Sequence, residues 1–199
     1  MARPTKSDDP RRSILEAARA LIVEEGHEKV SLRAVAAEAG FSPASLYEYF
    51  DSREDLLKTL AGEASNRLGA TLLKAADKGK TPAVALVEVG LAYVDFAREH
   101  REDFLLLFGR LESARQSFGE AVPSASPYSV VMNGVREALG AAGRRATQAT
   151  VEQVSYVLWA AAHGMAMLQV THLHGFDADF RAADRTGLQA LVRGLDLAD

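Results

Sequence analysis

Three short constellations in this 199-residue chain carry residue types that catalysis or metal binding uses. Gly79-Lys80-Thr81 ends like a phosphate-binding loop, but the position such a loop fills with glycine five residues earlier is Lys74, and no strand pattern precedes it. Glu24-x-x-His27 has the spacing of a di-iron helix motif, which requires a second copy on another helix, and none is present. His163, His172 and His174 lie in or just past one long helical pattern with no carboxylate beside them at helical spacing. With no cysteine, thiolate ligands and disulfides are also excluded. No metal, no cofactor and no enzymatic activity are therefore expected. A fourth set has a different chemistry. Pro43, Ala44, Ser45, Tyr47 and Tyr49 are small, hydroxylated and aromatic, and helical spacing puts them opposite apolar Leu46 and Phe50. Such a surface suits a nucleic-acid groove, where hydroxyls bond base edges or phosphates and methyl groups pack on thymine.

The elements that position this set are legible around it. Leu32, Val35, Ala36 and Ala39 give one apolar face to a first helix, which Ser31 caps. Gly40 stands at the turn, where a left-handed backbone angle costs glycine little. Ser42 caps a second helix with Pro43 at its first position, and Phe41 with Leu46 takes the places of a hydrophobic staple. Residues 31–50 thus read as a helix-turn-helix within a domain of residues 1–60.

Outside it, helical periodicity runs through most of the chain. Residues 1–10 read as an arm broken by Pro4 and Pro10, and 11–25 as a helix ended by Gly26. Asp51 is the expected cap, with Glu54 at N3, of a helix reaching Ala76. Further helices are predicted over 82–100, 127–142 and 147–172, and over a last stretch from a capping Asp177 to Gly194, while 102–109 is a short, very apolar segment. Residues 110–126 read mostly as loop. No alternating strand pattern appears, so the expected fold is all-α: a helix-turn-helix domain and, over 61–199, a helical bundle. The segment from Val154 to Val170 is apolar on most faces, yet Ser155, Tyr156, His163 and Gln169 favour a buried helix over a membrane span. Such a helix needs cover on two sides, which predicts a homodimer through the last two helices. The first twelve residues lack an apolar leader, and a reducing, cytoplasmic setting is expected.

Charge argues the other way on partners. The chain is net −4, and residues 1–60 hold nine Lys or Arg against eleven Asp or Glu. Counterion release needs cations on phosphates, and the acidic balance would equally fit an all-helical protein-interaction module or a small-molecule-binding bundle without DNA binding.

Residues 9–68 resemble the N-terminal domain of the tetracycline-repressor (TetR) family of bacterial transcription regulators. ILEAARALIVEEG (14–26) and SLRAVAAEAGFSPASLYEYFDSREDLL (31–57), with their spacing, carry the likeness. VLWAAAHGMA (157–166) and LAYVDFAREHREDFLLLFG (91–109) resemble a subgroup marked by Trp-x-x-x-His-Gly in its C-terminal domain. The resemblance implies a repressor that binds a palindromic operator in double-stranded DNA as a dimer and is released by a small apolar or aromatic ligand. It implies that Ser42, Pro43, Ala44 and Ser45 face bases, that Tyr47, Tyr49 and Arg53 sit on phosphates, and that Ser31 and Arg33 lie at the DNA surface. Arg33 is then the candidate guanine reader, and Arg3, Lys6, Arg11 and Arg12 are arm candidates. Phe96, Phe104, Phe108, Tyr128, Met132, Trp159, His163 and Met167 are the candidates for the ligand pocket.

Overall fold

The start of almost every helix uses the same short device, a Ser, Thr or Asp whose side-chain oxygen takes a backbone N–H of the first turn. In the computed structural model, which describes residues 9–108 and 126–197, Asp9 opens α1 (Pro10–Glu25) and Ser31 opens α2 (Leu32–Ala39). Ser42 opens α3 (Pro43–Leu46), and Thr81 opens α5 (Pro82–Glu99). Ser126, Thr147 and Asp179 do the same for α7 (Pro127–Ala141), α8 (Gln148–Val170) and α9 (Phe180–Gly194). Proline follows the cap in α1, α3, α5 and α7, where its missing N–H has no intrahelical use. With α4 (Arg53–Ala76) and α6 (Arg101–Phe108), every regular element among the described residues is a helix, with no strand among them. The all-α expectation holds. The arm positions Arg3 and Lys6, Gly109, and 110–125 of the predicted loop lie outside the described residues.

Two caps differ from expectation by a short step. Ser52, not Asp51, accepts from Asp55 N at 3.1 Å, and the Asp55 carboxylate takes the Asp51 N–H at 3.3 Å. The cap is thus one residue later, and the N3 carboxylate reaches back to the residue before it. At the other end Asp179, not Asp177, caps α9 by accepting from Ala182 N at 3.0 Å.

The chain forms two units: residues up to Ala64 with 102–108, and residues 65–101 with 126–197. The first has its core in Ile14, Leu15, Ala18 and Ile22 of α1, Val35 and Ala36 of α2, Leu46 and Phe50, and Leu56, Leu57 and Leu60 of α4. Leu106 of α6 joins that core, although sequence reading left its segment with the second domain. Arg19 ties the layers together, reaching Glu63 on α4 at 2.5 Å and Asp103 on α6 at 2.9 Å.

In the second unit α5 packs on α7, α8 and α9, with its buried residues running from Leu86 to Ala97. Gly90 lets α9 come close, since a Cβ there would stand 2.8 Å from Leu188 Cδ1. The α8–α9 seam contains one buried polar pair, Gln169 Nε2 donating to Asp184 Oδ2 at 2.9 Å. α8 buries Val151, Val154, Leu158, Ala162 and Ala166, while Tyr156, Val157, Ala160, Gly164 and Leu168 form an exposed stripe at helical spacing. No described helix is long and apolar enough to cross a membrane.

Candidate nucleic-acid interface and ligand cavity

The reading element is fixed from behind by apolar residues. Gly40 adopts φ 74°, ψ 29°, and Phe41 N returns to Ala36 O at 2.8 Å, closing α2 with a left-handed turn. Leu46 and Phe50 are then buried at 0% and 1% exposure, so the opposite side of α3 must face outward. Ser42, Pro43, Ala44, Tyr47 and Glu48 are exposed there, and Ser45 is half-buried. The two serines bond each other: Ser42 Oγ accepts from Ser45 N at 3.1 Å, and the hydroxyls lie 2.8 Å apart. Ser31 and Arg33 are exposed at the start of α2, with the Ser31 hydroxyl accepting from Ala34 N at 3.2 Å.

Two of the residues expected on phosphates, Tyr49 and Arg53, are placed differently in the structure. The helix runs only to Leu46; Tyr47, Glu48 and Tyr49 bond back to the third residue before each, in a tighter turn. That rotation leaves Tyr47 at 59% exposure but tucks Tyr49 edge-on against Phe41, ring centroids 6.3 Å apart. Arg53 is turned onto the protein's own loop, its Nε donating to Val30 O at 2.6 Å and its Nη2 to His27 O at 2.7 Å. Arg11, an arm candidate, lies over the Phe50 ring at 4.9 Å, while Arg12 pairs with Glu16 at 2.9 Å. Among the described residues of this unit, Arg11, Lys29, Arg33 and Lys58 are exposed cations without an ion pair.

In the second unit Leu72, Leu86, Val89, Gly90, Tyr93, Val131, Leu158, Trp159, Ala162 and Leu188 line an apolar cavity of about 20 Å³. Of the pocket candidates, Trp159 lines it directly. Its indole meets Tyr93 at 4.8 Å and Tyr128 at 5.4 Å, both edge-on. His163 stands behind Tyr93, with Nδ1 2.9 Å from the phenol oxygen. Phe96 and Met132 are buried in the same unit, and Met167 is half-buried, but none of the three lines the cavity. Phe104 and Phe108 pack on each other at 4.9 Å in the first unit and do not line it either. The aliphatic lining from α4, α5 and α9 escaped the sequence reading, because leucine and valine at helical spacing look alike in any core. Among the described residues no three His, Asp or Glu side chains are grouped to hold a metal.

Comparison with known proteins agrees with this layout. Residues 14–60 match the family described as "Bacterial regulatory proteins, tetR family", and residues 86–193 match "Tetracyclin repressor-like, C-terminal domain". An uncharacterised HTH-type transcriptional regulator of Mycobacterium tuberculosis is 27% identical over 180 residues, 86% of this chain and 74% of that protein. The HTH-type transcriptional repressor KstR of Mycolicibacterium smegmatis is 39% identical over 72 residues, 36% of this chain and 35% of the repressor. Among solved structures, a Rhodococcus protein of unknown function superposes with a TM-score of 0.78 at 27% identity, covering 97% of this chain and 98% of that one. A TetR-family transcriptional regulator from Streptomyces coelicolor shares the fold at 0.64 and 21% identity, over 94% and 99% of the two chains. The two matched segments together take in both units. The chain belongs to the tetracycline-repressor family of bacterial DNA-binding transcription regulators.

Proposed function

We propose that this regulator is a repressor that binds a pseudo-palindromic operator as a homodimer and is released by a small apolar or aromatic ligand. The observation that carries the reading is the outward face of α3, where Ser42, Pro43, Ala44 and Tyr47 are exposed over a core locked by Leu46 and Phe50. In this reading the start of α3 enters the major groove, Arg33 reads a base edge from the first turn of α2, and Tyr47 donates to a phosphate. One such head reads too few base pairs for a genomic site, so two heads about one helical turn apart, ~34–36 Å, are required. The exposed stripe Tyr156, Val157, Ala160, Gly164 and Leu168 supports a dimer through α8 and α9, because it is apolar and its small central residues let a partner helix approach closely. The Trp159-x-x-x-His163-Gly164 run is taken to mark the subgroup, and the cavity beside Trp159 to be where the ligand enters. Binding there favours one conformation, which α4, continuous from Arg53 to Ala76, carries into the reading head.

Selection of duplexes from a random-sequence library by the full-length protein tests this. The expected product is a two-fold-symmetric site bound in a salt-sensitive manner; recovery of no preferred sequence, or of a single unrepeated half-site, would overturn it.

A further inference from the structure

We infer that Arg53 is a positioning residue of the reading head, a clamp that fixes where α2 begins, and that it does not grip a phosphate. The loop between α1 and α2 leaves three carbonyls, those of His27, Glu28 and Val30, with their oxygens turned to one point. Arg53 fills that point: Nε donates to Val30 O at 2.6 Å, and Nη2 donates to His27 O at 2.7 Å and to Glu28 O at 3.2 Å. The loop is closed on its other side by Lys29 N on Gly26 O at 3.2 Å.

The consequence for recognition is local and directional. Val30 is buried at 2% exposure, and the next residue, Ser31, caps α2. Holding the Val30 carbonyl therefore sets the first turn of α2, and with it the direction of Arg33. The residue type matters. A guanidinium presents donors along a rigid planar fork and can serve several carbonyls in different directions; an ammonium is a point charge on a flexible stem. The same geometry removes the phosphate role. The Nε–Nη2 edge that would grip a phosphate bidentately is occupied by the loop. The remaining Nη1 lies 3.6 Å from the Glu54 carboxylate, so an approaching phosphate meets a negative charge.

The inference rests on the DNA-binding reading for its binding arm only, and the test separates the two. Arg53→Met and Arg53→Lys are compared with the wild-type full-length protein by amide hydrogen exchange over residues 26–35 without DNA, and by affinity for a duplex selected by the wild type. Both variants are expected to exchange on the order of 10-fold faster in this stretch than wild type. Both are expected to bind the duplex about 10-fold more weakly, with the slope of log affinity on log salt within about 0.3 of wild type. A slope flatter by ~0.9, the value of one lost phosphate contact, with exchange unchanged, would overturn the clamp. So would full recovery of exchange and affinity by lysine, since one nitrogen on a flexible stem cannot stand at both the Nε position that serves Val30 O and the Nη2 position that serves His27 O and Glu28 O. Arg53→Lys keeps the charge and covers the case in which Arg53→Met does not fold. If the wild type selects no duplex, the DNA reading fails, and the exchange arm still decides whether Arg53 is a clamp.

Discussion

The Tyr93 hydroxyl lies 2.9 Å from Nδ1 of His163, and burial holds both groups neutral, pushing the phenol up and the imidazole below its usual value of 6.5. The folded ring refuses a proton that the unfolded ring accepts, so stability present above about pH 6.5 is lost as the pH falls. His163→Gln keeps a hydrogen-bonding side chain and removes the titration. Its melting temperature is expected to change less than that of the wild type between about pH 7.5 and pH 5.5. Parallel curves in scanning calorimetry would contradict this.

Asp184 behaves in the opposite sense. Burial raises its carboxyl above the usual 3.8, outweighing the Gln169 hydrogen bond and the attraction of Arg98 and Arg181. Its contribution is full below that usual value and is lost as the pH rises through the raised folded value. Asp184→Asn still accepts from Gln169 Nε2 and adds an N–H for Gln169 Oε1, which is buried without a bond. One such bond is worth ~1 kcal/mol, or about 2–4 °C in a chain of this size, so the variant should melt higher at neutral pH. A lower melting point at pH 7 would show that the charge is needed.

Tyr47 and Tyr49 should separate binding from folding. Tyr47 is exposed and Tyr49 packs on Phe41. Tyr47→Phe is expected to weaken operator binding by about 5–10-fold, the value of one hydrogen bond, with an unchanged melting temperature. Tyr49→Ala removes packing and should lower the melting temperature, while Tyr49→Phe keeps the ring and should leave it unchanged. The check is fluorescence anisotropy on a selected operator beside thermal melts; a destabilised Tyr47→Phe would move that residue into the core's account.

Ala160 is exposed in the middle of the α8 stripe, so Ala160→Glu leaves the protomer's core intact and buries a charge in any helix pair formed there. The expected product is a folded monomer by light scattering, with operator affinity reduced by ~10² or more through loss of the second head. An unchanged dimer would move the interface elsewhere.

How much of this was readable in advance follows from where each signal resides. The Leu46–Phe50 spacing gave the buried side of the reading helix correctly, because both residues point to the core whether the turn between them is α-helical or tighter. The same spacing hid the rotation that draws Tyr49 inward. The caps at Ser52 and Asp179 were displaced because neighbouring residues are all competent to cap, and only the path of the backbone chooses among them. Arg53 was legible as a cation, but its partners are backbone carbonyls, which leave no trace in a sequence. Most of the cavity's walls were missed in the same way, although Trp159 was among the candidates. Aromatic residues drew attention, while its walls are mostly aliphatic.

The size of that cavity has a further consequence. At about 20 Å³ it has room for roughly one water molecule, whereas pockets for drug-sized ligands measure ~300–1,000 Å³. In the proposed reading, where the ligand enters beside Trp159, its rival is the regulator's own packing: Leu86, Leu158, Trp159 and Leu188 already line the space it would take. On that reading induction would be a contest between inserting a guest and keeping a filled core, with the threshold set as much by cohesion as by recognition. Trimming Leu188 would lower that threshold for effectors of every chemistry, whereas changing Tyr93 or His163 would alter which chemistry wins.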